Sequence, residues 1–209
     1  MIREFCAENH SDVERALSLG ANRIELCDNL AVGGTTPSYG VIDHVCRKAH
    51  AQGAAVMTMI RPRGGDFCYH QAELDIMLAD SQLAKSLGSD GLVFGALTKE
   101  GWLDEVALAQ LMQQAEGCQT VFHMAFDQIP RQRQLAALDC LVDYGVTRIL
   151  TRGGLAGSAL EHLDWLKELV TYADGRIELV VGGGLTQTNY HQLVDVLGIE
   201  QVHGTRLFW

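Results

Sequence analysis

The stretch RIELCDN, residues 23–29, places Arg23, Glu25 and Cys27 at alternate positions around the apolar Ile24 and Leu26. Strict alternation marks a β-strand whose two faces meet different surroundings. The face of Ile24 and Leu26 is fit to lie beneath helices. The other face carries groups that are costly to bury unless they partner one another. It therefore points to a polar interior.

Seven more short apolar runs flank this one: IREFCAEN (2–9), AAVMTMIRP (54–62), GLVFGAL (91–97), TVFHMAFD (120–127), RILTRGG (148–154), IELVVGGG (177–184) and QVHGTRL (201–207). Helical stretches lie between them. SDVERALSLG (11–20) has Ser11 as its expected N-cap, and QAELDIMLADSQLAKSLG (71–88) repeats Leu74, Met77, Leu78, Leu83, Ala84 and Leu87 at helical spacing. Gly20, Gly53, Gly88, Gly145, Gly175 and Gly198 each precede a strand, as helix-closing glycines do. Repeated β-then-α units require a parallel sheet. A doubly wound sheet shares the alternation, but near-equal units with polar residues ending the strands favour closure into a (β/α)8 TIM barrel. One barrel domain over residues 1–209 is expected. The run after the eighth strand ends at Trp209, so the eighth helix is expected to be missing or truncated, with the large apolar Phe208 and Trp209 packed or covered by another subunit.

The chain has 209 residues, 47% of them hydrophobic, enough for one sizeable core, and a formal net charge of −10. That balance argues against a nucleic-acid or anionic-membrane surface. No N-terminal targeting pattern and no apolar run of membrane-spanning length is present, so a cytoplasmic location is expected. Six scattered cysteines without a CxxC pair read as reduced thiols.

Strand parity turns the fold into chemistry. Extended to neighbouring strands, the rule groups Cys6 with Glu8, Met57 with Met59 and Arg61, and His123 with Ala125 and Asp127, all facing inward. The barrel mouth is then expected to hold Glu8, Glu25, Arg61, His123 and Asp127, where barrel enzymes keep their reactive groups. Glu8, Glu25, His123 and Asp127 are the candidate acid–base residues. A mutually compensated polar plug without function is the other reading. One layer lower, Cys6, Cys27, Met57 and Met59 form a soft donor set suited to Cu(I). Alone, the same side chains also make an ordinary sulfur-rich core.

The loops point to an anion. In RPRGGDF (61–67), Arg61 and Arg63 flank a proline, a pattern suited to phosphate or carboxylate or to neutralising nearby acids. After the seventh strand, Gly183 and Gly184 within GGGL lie where barrels often cradle a phosphate.

Taken in order, RIELCDNLAVGGTTPS, MIRPRGGDF, DGLVFGALTKEGWLD, FHMAFD, RILTRGG, VVGGGLTQTN and VHGTR resemble the CutC copper homeostasis family from residue 2 to about 206. The resemblance implies a cytoplasmic barrel linked to copper handling, with Cys6 and Cys27 as the suggested Cu(I) ligands. Family members commonly carry an arginine where Met124 stands and a serine where Arg152 stands, so Arg152 is a candidate replacement anion contact. The expected partners are copper ion and a small anionic ligand, within a homodimer. A copper-binding protein, an enzyme acting on a small anionic or phosphorylated metabolite, and an interaction scaffold all remain open at this point.

Overall fold

The computed structural model describes residues 1–209. Eight parallel strands close into one barrel in chain order: β1 (Ile2–Glu8), β2 (Arg23–Cys27), β3 (Ala55–Met59), β4 (Gly91–Phe94), β5 (Gln119–Phe122), β6 (Arg148–Thr151), β7 (Glu178–Gly182) and β8 (Gln201–Gly204). Seven α-helices coat it: α1 (Val13–Ser18), α2 (Tyr39–His50), α3 (Gln71–Ser86), α4 (Glu105–Gln114), α5 (Arg131–Asp143), α6 (Leu163–Ala173) and α7 (Tyr190–Leu197). No helix is long and apolar enough to cross a membrane. This is the (β/α)8 TIM barrel that the alternation implied, and all six helix-closing glycines have left-handed φ.

Two separate apolar clusters follow from strand parity. The larger, of 52 buried residues, fills the layer between strands and helices and includes Ile24, Leu26, Phe94 and Phe122. The smaller, of eight, lies inside the barrel: Cys6, Cys27, Met57, Met59, Val93, Val121, Leu150 and Val180. Gly91 belongs to this interior because Met57 crosses its position. A Cβ at Gly91 would lie 2.8 Å from both the Gln119 carbonyl oxygen and the Met57 sulfur. Gly91→Ala is therefore expected to lower stability by about 1–3 kcal/mol through overpacking against backbone, measured as a lower urea midpoint with an unchanged slope.

Two local expectations are corrected, and a third, the packed C-terminal end, is met. Helix α1 starts at Val13, and its N-cap is Asp12 in the left-handed region at φ 57°; Ser11 does not cap it. Strand β5 ends at Phe122, because His123 Nδ1 accepts the N–H of Ala125 at 3.1 Å and turns the chain into a 3-10 helix, Met124–Gln128. Period-two parity stops there. Met124, which parity puts under the helices, instead lines the mouth. After β8 the chain turns back on its own barrel. Leu207 and Phe208 are buried, and the Phe208 ring stands edge-on to Phe5 with centroids 6.0 Å apart. The guanidinium groups of Arg3 and Arg15 stack on Phe208 and Trp209, at 4.9 and 4.2 Å from the ring centroids.

Candidate metal centre

The register of β1 and β2 sets Cys6 beside Glu25 and Glu8 beside Cys27. Cys6, Glu25 and Cys27 all point inward. The two sulfurs and a Glu25 carboxylate oxygen lie within 4.8 Å of one another. Glu25 Oε2 is 3.3 Å from Cys6 Sγ and 3.6 Å from Cys27 Sγ. Sulfurs and carboxyl thus share one layer, where the sequence reading had stacked them in two.

Below them the interior is charged. Glu4 is buried and pairs with Arg23 Nε, and His203 Nδ1 lies 2.7 Å from Glu4 Oε1. The other imidazole nitrogen, Nε2, is 3.6 Å from Glu25 Oε2. His203 therefore bridges the charged base of the barrel to the sulfur layer. Nearer the strand N-termini, Arg148 binds Glu178 at 2.5 Å and Gln119 at 2.7 Å. The opposed charges sit beneath the sulfurs, so this end is the compensated plug.

This surrounding sets the protonation states. The hydrogen bond from Cys27 holds the Cys6 thiol well below its usual range, and the charge on His203 adds to it against burial. That same bond, with burial, holds Cys27 well above the usual range. Burial also raises Glu25 well above an ordinary carboxylic acid. Burial opposes a charge on His203, but the facing Glu25, Cys6 and Glu4 hold its pKa well above 6.5. The site thus biases the Cys6 thiol toward its ionised form and the His203 imidazole and Glu25 carboxyl toward their protonated forms.

Loops build the walls. Gly34, at φ 89°, packs over Cys27, and a Cβ there would come within 3.1 Å of its sulfur. Arg61 ties that loop to the next one: Nη1 donates to the carbonyls of Val32 and Gly34, and Nη2 to Gly65. Arg63 is held by Glu73 at 2.6 Å and Asp66 at 3.0 Å. Both arginines are thus engaged in shaping the mouth.

A cavity of about 270 Å³ opens above the sulfurs. Cys6, Glu25, His123, Arg152, Gly183 and Gly184 line it, so six of the residues proposed from sequence converge there. Cys27 lies just behind, 1% exposed. Arg61 and Asp127 face a second recess of about 610 Å³, across a divide formed by Met124 and Arg152. Asp127 is buried, accepts from the Thr151 hydroxyl and takes the Arg152 N–H at 2.9 Å. Glu8 is exposed and accepts only the Leu30 N–H, at 3.3 Å. The four acid–base candidates therefore do not share one cavity. Sequence reasoning missed Glu4, and it marked HGTR (203–206) only as part of the β7–β8 loop region, without roles for His203 or Arg206. Parity two residues before Cys6 marks Glu4, but no local signal brings β8 against β1.

The sequence profile of the CutC family matches residues 1–207. A CutC family protein of Enterococcus faecalis is 54% identical over 208 residues, 99% of this chain and 100% of that one. The human copper homeostasis protein cutC homolog is 42% identical over 202 residues, 97% of this chain and 72% of the human protein. A solved structure of a CutC copper homeostasis protein from Streptococcus agalactiae superposes with a TM-score of 0.96 at 48% identity, with 99% of each chain covered. With its fold and its full length matched in this way, the chain belongs to the CutC family.

Proposed function

We propose that this protein takes part in cytoplasmic copper homeostasis by binding one Cu(I) ion between Cys6 and Cys27. The observation that carries this reading is the pair of inward sulfurs, within 4.8 Å of each other, at the floor of a cavity lined by Cys6. Two thiolate–metal bonds of roughly 2.3 Å each span that separation. Thiolates and thioethers select Cu(I) over hard cations, and Met59 lines the same cavity. Zinc fits less well. Beyond the two sulfurs it wants one or two further donors, and the nearest, Glu25 and His203, are both biased toward their protonated forms. All six cysteines are unpaired, in keeping with a reducing compartment. An acid–base enzyme built on Glu8, Glu25, His123 and Asp127 is not favoured, because these residues face different surroundings.

Competition titration against a chromophoric Cu(I) chelator tests this reading, with one ion per chain expected. Proton release adds a second readout. The Cys27 thiol, held above its usual range, keeps its proton until the metal displaces it, while the Cys6 thiol gives up its proton more readily. Binding near pH 7 is expected to release at least one proton per ion, that of Cys27, and affinity to rise with pH. Calorimetry in buffers of different ionisation enthalpy measures that count. Zero protons would remove Cys27 from the ligand set.

A further inference from the structure

We infer that the mouth cavity also binds a small organic oxyanion, whose phosphate or carboxylate group sits between the β7 and β8 loops and whose body reaches toward His123. This goes beyond the copper reading and does not need the thiols.

Three observations converge. The N–H groups of Gly183, Gly184 and Leu185 donate to no acceptor in the protein, and all three residues line the cavity. Gly183 and Gly184 have φ of 103° and 69°. Consecutive unsatisfied N–H groups in such a turn form an anion-binding concavity. Across from them Thr205 and Arg206 line the same wall.

Charge is the second observation. The chain carries a net −10, yet neither Arg152 nor Arg206 has a carboxylate within 4.0 Å. The Arg152 guanidinium makes only a 3.3 Å contact to the Gly157 carbonyl and a 3.8 Å contact to the Met124 sulfur. Two guanidinium groups beside one cavity, neither paired with a carboxylate, are free to pair with an anion.

The third observation is His123, which is 4% exposed, lines the cavity and has no partner for Nε2. Its Nδ1 accepts from the Ala125 N–H, so the ring proton belongs on Nε2. Burial, aided by the nearby Arg61, holds its pKa down to about 3, and the ring stays neutral. Phe67 packs on it with centroids 4.9 Å apart, and a Cβ at Gly95 would come within 2.6 Å of it. The structure fixes a neutral N–H donor and provides no acceptor for it; an oxygen of the ligand body supplies one. The cavity of about 270 Å³ is far larger than the space one water needs, so it admits a small organic ligand.

Calorimetry on the full chain without copper, using inorganic phosphate, glycerol 3-phosphate and L-malate, tests this. Glycerol 3-phosphate or L-malate is expected to bind more tightly than inorganic phosphate, and the better of the two identifies the anionic group. Arg206→Ala, at an exposed position, is expected to weaken that binding about tenfold. His123→Phe is expected to weaken the organic ligand and leave inorganic phosphate within about twofold, with His123→Gln restoring part of the loss through its own N–H. Because these probes are titrated without copper, this result and the copper titration stand or fall separately. Absence of heat from all three probes at about 10 mM, inorganic phosphate binding at least as well as both organic probes, or affinities unchanged in both Arg206→Ala and Arg152→Ala would overturn the inference.

Discussion

Replacing Cys6 and Cys27 together by serine is expected to lower Cu(I) affinity by well over the roughly 100-fold that loss of a supporting outer partner costs a metal site. Serine nearly matches cysteine in volume and leaves a hydroxyl to bond Glu25, so the fold is retained. What changes is the donor. A hydroxyl is hard and stays protonated at neutral pH, whereas Cu(I) binds soft thiolates. The single variants should not be equal. Cys6→Ser removes the sulfur that ionises more readily and that lines the cavity, so it is the more damaging one. Cys27→Ser leaves that sulfur in place with Met59 nearby. The competition assay reads all four proteins, with circular dichroism checking the fold. Equal affinities across the set would take the thiols out of the account.

Glu4→Ala is expected to cost about 3–5 kcal/mol of stability, the price of leaving a buried charge without its partner. The Nε bond to Glu4 is the only hydrogen bond the Arg23 guanidinium makes, since its Nη1 and Nη2 have no partner. His203 loses its 2.7 Å contact in the same step. For a chain of this size the loss corresponds to a Tm lower by roughly 6–20 °C. The pH dependence follows by sign. Burial alone would raise the Glu4 carboxyl, but Arg23 and His203 hold it down from 4.5 to about 2. Its contribution is complete above about pH 4.5 and is lost as pH falls toward 2. His203 acts in the opposite sense. Its raised pKa gives stability that is present below 6.5 and declines as pH climbs through the folded value. Urea unfolding at several pH values should show the wild type losing more stability than Glu4→Ala on acidification from pH 5. Parallel pH profiles for the two proteins would refute the assignment.

The barrel and its sulfur pair were legible because both are local matters. Alternation within RIELCD separates the interior from the helix-facing side, and Cys6 lies one strand away in the only inward parity that Phe5 and Ala7 leave open. Other features needed information that no short window holds. The link between Glu4 and His203 spans 199 residues and exists only because β8 closes on β1. The turn at His123 depends on a side chain capturing a backbone N–H, which ends the period of two within the apolar run TVFHMAFD. Arg61 and Arg63 read equally well as anion contacts or as neutralising groups. Geometry resolved this differently for each: carbonyls take Arg61, while Glu73 and Asp66 take Arg63. The vertical order of charge and sulfur depended on register, which composition does not encode.

That reach of 199 residues also gives the molecule a timetable. Both thiols are made within the first 27 positions, and the imidazole that helps to ionise one of them belongs to the last strand. Contacts so distant along the chain form late, after the entropy of closing the intervening loop has been overcome. An unfinished polypeptide therefore lacks the imidazole beside those thiols, and Cys6 gains that part of its activation only when the barrel shuts.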